Sequence, residues 1–114
     1  MTTIPTNIII IPSYHEPLRH DRQVNGRNGG GVLVYIKETL PFNHKIDFQY
    51  EQFEHIWVDI KLKNQTVAVN ALYRPPNQTA ADHNLFLTTA QNILEKLRSY
   101  TVASHKIITS DLNF

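Results

Sequence analysis

The fold is decided by residues 66–109, which read TVAVNALYRPPNQTAADHNLFLTTAQNILEKLRSYTVASHKIIT. Residues 66–73 form a β-branched and apolar run that two prolines end, as is typical of a strand. Thr79, with Asp82 three residues later, resembles the start of a capped helix. A helix of about five turns is predicted from apolar residues at helical spacing, which are Leu85, Phe86, Ala90, Ile93, Leu94 and Leu97. Residues 106–109 then predict a second strand.

A strand, helix and strand in this order nearly always form a crossover between two parallel strands of one sheet. The two strands then point the same way, so residues 73–77 and 110–113 each follow the carboxyl end of a strand. Ligands collect at this edge of open α/β sheets. The sequence therefore predicts that two motifs far apart along the chain lie side by side.

The segment just before this stretch predicts a β-hairpin. Residues 56–62 alternate apolar and polar side chains, which is the pattern of a strand with one buried face. Residues 63–65 supply a short polar turn, so this strand is expected to pair with residues 66–73. Together with the crossover, the hairpin makes the expected sheet a mixed one and the fold class α/β.

The first third of the chain predicts little regular structure. Residues 1–31 contain three prolines and end in the run NGRNGGG, so we expect loops, at most one short strand, and a turn at the glycines. Residues 32–36 are β-branched and aromatic, and we expect a strand that is buried on both faces.

The amino-acid composition excludes some classes of function. The chain has 114 residues, 41% of them hydrophobic, which suits one domain. A net charge of +1 gives no global electrostatic case for nucleic-acid binding, and the lack of cysteine excludes disulfides and thiolate metal sites. The apolar run at residues 8–11 is too short for a signal peptide or a membrane span. We therefore expect a nuclear or cytoplasmic protein that is neither secreted nor bound to a membrane.

Three polar residues stand at the predicted edge of the sheet. Asp111 and Asn113 follow the second parallel strand, and Tyr73 ends the first. A carboxylate can bind Mg²⁺ or take a proton from water, and a phenol can donate a hydrogen bond to a phosphate oxygen without adding charge. Taken separately, these residues are more typical of a turn and of a half-buried packing tyrosine. Their expected proximity is what favours phosphate chemistry.

Several short motifs occur together in one order along the chain. They are RHDR at 19–22, GGGVLVYIK at 29–37, IWV at 56–58, LYRPPN at 72–77 and IITSDLN at 107–113. This ordered set resembles the endonuclease domain of non-LTR retrotransposons, which belongs to the endonuclease/exonuclease/phosphatase superfamily. The resemblance covers nearly the whole chain, and its specificity lies in the order of the motifs and not in any single one.

The resemblance implies a four-layered α/β sandwich of the DNase I-like kind that hydrolyses DNA phosphodiester bonds with Mg²⁺. It also implies that target DNA is nicked by a polyprotein that carries a reverse transcriptase domain. By position, Tyr73 matches the phosphate-contacting tyrosine, Asp111 the aspartate that activates water and binds metal, and Asn113 its hydrogen-bonding partner. Further candidates for phosphate or DNA contact are Arg74, Asn77 and, in the basic stretch Arg19, His20, Arg22 and Arg27, Arg22.

The match also has departures. Ser110 replaces the usual glycine and Leu112 the usual phenylalanine. The family's early asparagine and metal-binding glutamate, and its late aspartate and histidine, have no match in these 114 residues. Residues 1–114 are therefore expected to be a partial domain that lacks the first strand or strands and the C-terminal half. Such a piece would expose sheet edges and dissolve poorly.

Other carboxylates and the histidines are expected to have no part in the site. We predict solvated surface positions for Glu16, Glu38 and Glu54, and structural or surface roles for the six histidines, whose spacing matches no ligand pattern. Two other functions stay open. One is a catalytically inactive remnant that at most binds DNA or another partner, and the other is a phosphodiesterase of the same superfamily that acts on a small molecule or lipid.

Overall fold

A computed structural model describes residues 10–24, 27–50, 54–74 and 79–111, with the backbone alone at residues 21–24, 27–30 and 111. Its elements, in chain order, are β1 (Leu18–Val24), β2 (Arg27–Val34), β3 (Phe42–His44), a 3₁₀ helix (Ile46–Phe48), β4 (His55–Leu62), β5 (Gln65–Tyr73), α1 (Ala80–Arg98) and β6 (His105–Asp111).

The main sheet has four strands in the order β3-β4-β5-β6. Strands β4 and β5 form the predicted antiparallel hairpin, with Leu62 opposite Gln65 at its turn. Strands β5 and β6 run parallel and are connected through α1. The mixed sheet and the strand, helix, strand connection predicted from the sequence are therefore confirmed, and the protein is of the α/β class.

Helix α1 covers one face of this sheet. It begins as predicted, because Thr79 Oγ1 accepts a hydrogen bond of 3.2 Å from the backbone N–H of Asp82. One buried cluster joins the helix, the sheet and the loop after the helix, and its members are Trp57, Ala68, Leu72, Phe86, Ile93, Leu97 and Ala103. No described helix is long and apolar enough to span a membrane.

The buried face of α1 is narrower than its apolar pattern predicts. The buried residues follow one stripe of the helix, namely Phe86, Thr89, Ile93 and Leu97. Leu85 and Leu94, which the sequence pattern includes, are exposed. Leu85 comes directly before Phe86, and Leu94 comes directly after Ile93. Because one residue corresponds to about a quarter of a turn round the helix, both lie beside the buried stripe and not in it.

The hairpin of β1 and β2 covers part of the opposite face of the sheet. Val32 and Ile36 pack there against Ile56 and Val58, and these four residues are buried. Strand β4 is therefore buried on both faces from His55 to Asp59. The prediction of one buried face was wrong, because the alternation of β4 places Trp57 under the helix and not toward water.

The N-terminal third is more regular than its composition predicts. Strands β1 and β2 are seven and eight residues long, so the expectation of loops with one short strand was wrong. The glycine run lies inside β2, opposite a register shift between Asp21 and Gln23, and Gly31 has φ 128°, which glycine adopts without a steric penalty. The strand predicted at 32–36 ends at Val34 and exposes Leu33, so it is not buried on both faces.

Substitutions in α1 can test which residues of this helix are buried against the main sheet. Ile93→Ala should lower the free energy of unfolding by about 3 kcal/mol, because it leaves a cavity between α1 and the sheet. Leu85→Ala, the control on an exposed position of the same helix, should cost less than about 1 kcal/mol. Urea denaturation followed by circular dichroism measures both, and equal losses would contradict the buried stripe.

Candidate functional site

Three strands bring polar residues to one edge of the main sheet. Strand β5 ends at Tyr73 and β6 ends at Asp111. Strand β4 runs antiparallel to β5, so its first residue, His55, lies opposite Leu72 at the same edge. We call this edge the rim and define it by Glu54, Tyr73, Arg74 and Asp111.

The two motifs predicted to meet are neighbours at the rim. In the parallel pairing of β5 and β6, the Cα of Tyr73 is the register partner of the Cα of Asp111. Neighbouring strands lie about 4.8 Å apart. Tyr73 is half-buried and packs at the margin of the cluster beneath the β1–β2 hairpin. The catalytic roles of the two residues stay predictions, since the side chain of Asp111 is outside the described residues.

Arg74 follows Tyr73 and contacts the first turns of α1. Its Nη2 lies 2.8 Å from Nδ1 of His83, and its guanidinium carbon lies 6.0 Å from the centre of the Phe86 ring. Arginine is only a donor, so Nδ1 of His83 accepts this hydrogen bond and carries no proton. The bond fixes the guanidinium beside the end of β5. No spacing rule relates His83 to Arg74 along the chain, so the sequence pattern does not single out this histidine.

Three other predicted residues cannot be placed as side chains. Asn77 and Asn113 lie outside the described residues, and only the backbone of Arg22, in β1, is described. Of the basic stretch that contains Arg22, His20 contacts another strand inside the fold. The Nδ1 atom of His20 lies 2.8 Å from the carbonyl oxygen of His55.

Glu54 was expected at the surface, and this prediction was wrong. The residue is only 7% exposed. Its carbonyl oxygen accepts a hydrogen bond of 3.1 Å from the backbone N–H of Tyr73, which extends the pairing of β4 and β5 by one step. A buried acidic residue therefore stands next to Tyr73 at the rim. Its position directly before the alternating residues of β4 is the sequence signal that could have found it.

Asp59 is a buried polar residue that lies between α1 and the sheet and stabilises the fold. Asp59 is buried, and its carboxylate accepts hydrogen bonds from Trp57 Nε1, at 3.2 Å, and from the hydroxyl of Tyr100. Burial, together with the hydrogen bond to Asp59, raises the pKa of Tyr100 above its ordinary value. The bond from Tyr100 connects β4 to the segment after α1. Because the two donors satisfy the carboxylate inside the core, we assign Asp59 a structural role.

His55 is fully buried at the start of β4. Its Nε2 accepts a hydrogen bond of 3.1 Å from the backbone N–H of Tyr50, which requires that this nitrogen carry no proton. Burial, with smaller contributions from the nearby positive charges of His20 and Lys96, lowers the pKa of His55 from 6.5 to about 4. His55 is therefore a neutral structural residue at neutral pH.

The resemblance implies a bound Mg²⁺, and the residues at the rim can be compared with the ligands that this ion needs. Asp111 supplies a carboxylate, which is the ligand type that Mg²⁺ prefers, and its register position next to Tyr73 suits a metal beside a phosphate. Within the described side chains, no group of three or more histidine and acidic residues could hold a metal ion. A Mg²⁺ site that includes Asp111 therefore stays a prediction.

Comparisons with known proteins returned no match to a protein family, a curated protein or a solved structure.

The buried His55 predicts that stability depends on pH. Its pKa is lower in the folded than in the unfolded chain, so its contribution to stability is complete above about pH 6.5 and is lost as the pH falls toward about 4. Between pH 7 and pH 4 this loss should be about 3 kcal/mol. Urea unfolding across this range should show a difference of that size between the parent chain and His55→Gln.

The matched control is His105→Gln, since His105 is exposed. This variant should keep the pH dependence of the parent chain, because it leaves His55 in place. If His55→Gln and the parent lose stability in parallel as the pH falls, His55 does not have the depressed pKa.

Proposed function

We propose that the chain is part of a Mg²⁺-dependent DNA endonuclease domain of the non-LTR retrotransposon kind, with a four-layered DNase I-like sandwich as its full architecture. The observation that supports the proposal is the register pairing of Tyr73 with Asp111 at the carboxyl ends of two parallel strands. The motifs that carry the resemblance are far apart in the chain, and only the β5-α1-β6 crossover brings these two residues together.

The three layers of the described residues are compatible with part of such a sandwich. Helix α1 covers one face of the four-stranded sheet, and the β1–β2 hairpin covers part of the other. In a complete sandwich a second sheet would pack on the side where the hairpin lies. We propose that β1 and β2 belong to that second sheet.

Each residue of the rim has a chemical task in the proposed hydrolysis. The carboxylate of Asp111 would take a proton from the attacking water, and the phenol of Tyr73 would donate a hydrogen bond to a non-bridging phosphate oxygen. Asn113 would orient the carboxylate. Arg74, which the hydrogen bond to His83 fixes beside Tyr73, would contact the neighbouring phosphate of the same DNA strand.

Bound Mg²⁺ would supply positive charge to the phosphate oxygens as negative charge develops on them. Asp111 is the residue of this chain that would hold it, and Asn77 and Arg22 remain candidates for DNA contact. The proposed partners are target DNA and a reverse transcriptase domain in the same polyprotein.

An inactive remnant that binds DNA without cutting it is the second candidate. It is favoured by the family residues that have no match in the chain, above all the metal-binding glutamate. A nuclease and a remnant differ in whether Asp111 still binds a divalent metal, so metal binding at the rim is the property to measure.

Paramagnetic Mn²⁺ can report this binding. In a ¹H–¹⁵N correlation spectrum, Mn²⁺ should broaden the amide signals of Tyr73, Arg74 and Ser110 before others, because it replaces Mg²⁺ beside the Asp111 carboxylate. Asp111→Asn should abolish this selective broadening, since it removes the negative charge and keeps the shape. Excess Mg²⁺ should reverse the broadening in the parent chain.

Asp47→Asn is the matched control. Asp47 is an exposed aspartate in the 3₁₀ helix, and its replacement should leave the broadening at the rim unchanged. Broadening that is as strong around Asp47 as around Asp111, or that survives in Asp111→Asn, would refute the proposed metal site.

Cleavage provides the functional test. We expect no nicking of supercoiled plasmid by the chain with Mg²⁺, because a single carboxylate holds the metal weakly and the late histidine of the family is unmatched. Gel electrophoresis separates nicked from supercoiled plasmid. Nicking that disappears in Asp111→Ala but persists in Asp47→Ala would refute the inactive remnant and show that the rim is sufficient for hydrolysis.

A further inference from the structure

The end of the main sheet opposite the rim carries three exposed lysines. Strand β4 ends there, and β5 and β6 begin there. Lys61 lies near the end of β4, Lys63 lies in the turn that leads to β5, and Lys106 is the second residue of β6. We call this end the lysine edge and define it by these three residues. The length of β5, about 26 Å for its nine residues, separates it from the rim.

The positive charge at the lysine edge has no matching negative charge beside it. None of the three lysines forms an ion pair with a described carboxylate. Two acidic residues on the adjoining elements are engaged elsewhere, because Asp59 is buried and hydrogen-bonded in the core and Glu95 lies 4.0 Å from Arg98. The whole chain has a net charge of only +1, so the three lysines are a local excess of positive charge.

An open pocket of about 360 Å³ lies at the lysine edge, between the turn after β4 and the loop after α1. None of the described residues that line it is acidic. Its polar lining can donate hydrogen bonds from one ammonium group, two amides and three hydroxyls, which belong to Lys61, Asn64, Gln65, Thr66, Thr101 and Ser104. The pocket therefore offers donors and positive charge to an anion.

Hydrogen bonds within the fold hold two of the lysines apart. Nζ of Lys61 donates to Oγ1 of Thr66 at 3.4 Å, and Nζ of Lys106 donates to the carbonyl oxygen of Arg98 at 3.4 Å. The backbone N–H of Ser104 donates to the carbonyl oxygen of Thr66 at 3.0 Å, which joins the loop after α1 to β5. The two ammonium groups have different partners, so they do not converge on one point.

This spacing suits a row of phosphates better than a single ion. Lys61 and Lys106 stand on strands that flank β5, so they are about 10 Å apart across the sheet. One strand of DNA presents a phosphate at about every 3.4 Å of helix axis, so about three phosphates fall within this distance. Lysine, serine, threonine, asparagine and glutamine are also among the side chains that contact DNA phosphates.

We propose that the lysine edge binds the phosphodiester backbone of a nucleic acid. Lys61 and Lys106 contact separate phosphates, and the hydroxyls of Thr101 and Ser104 donate hydrogen bonds to phosphate oxygens beside Lys61. Lys63 extends the row of positive charge past the turn. Contacts to phosphate position the nucleic acid and carry no sequence preference. The proposal does not depend on the nuclease function, because the rim lies at the other end of the strands.

Fluorescence anisotropy of a short labelled DNA duplex measures this binding at several salt concentrations. Lys61→Gln and Lys106→Gln should each weaken binding several-fold at low salt and flatten the plot of log affinity against log salt by about 1, because each removes one phosphate contact. Lys45→Gln is the control for the change in net charge. The backbone N–H of Lys45 donates to the carbonyl oxygen of Trp57, four positions along β4 from Lys61, so this variant should bind like the parent chain.

A ¹H–¹⁵N correlation spectrum locates the contact. The duplex should shift the amide signals of Asn64, Thr66 and Ser104, and these shifts should be lost when Lys61→Gln and Lys106→Gln are combined. The amides of Tyr73 and Arg74 report separately on DNA at the rim. Inorganic phosphate and polyglutamate, each added at the charge concentration and ionic strength of the duplex, show whether a free anion or an acidic peptide is bound instead.

Shifts at the lysine edge that the duplex causes and the combined variant loses support the proposal. The proposal is overturned if the duplex leaves these amides unchanged or shifts only those of the rim, and the second result would still favour the proposed nuclease site. Equal shifts with inorganic phosphate or polyglutamate, or equal losses of affinity in Lys45→Gln and Lys61→Gln, would also overturn it. All substituted side chains are lysines at or near the surface, and circular dichroism shows whether the variants keep the fold.

Discussion

The packing of α1 against the main sheet is the contact on which the rest of the structure depends. Parallel strands cannot be joined by a tight turn, so β5 and β6 are neighbours only because the connecting helix lies back on the sheet. Phe86, Ile93 and Leu97 bury one stripe of the helix against Trp57 and Leu72. If this contact is lost, β6 loses its position and the rim loses Asp111.

Strand β4 carries two buried polar side chains although it is a central strand. His55 and Asp59 flank Trp57 on the helix side, and each is hydrogen-bonded to another segment, His55 to Tyr50 and Asp59 to Tyr100. Buried polar groups cost free energy unless they are hydrogen-bonded, so these bonds specify how the loops on either side of β4 dock. The aromatic rings of Phe48 and Tyr100 pack edge-on around Trp57 at 4.9 and 5.2 Å and close the same region.

Sequence patterns predicted the elements with strong local signals and missed those that depend on distant partners. The alternation in β4, the turn predicted at residues 63–65 and the cap at Thr79 are all local signals. The strand and the cap are present, and the turn occupies residues 63–64. The β1–β2 hairpin was missed because its glycines carry no side-chain pattern, although their backbones pair with β1. The bond between Arg74 and His83 depends on how separate elements meet, which no spacing within the chain encodes.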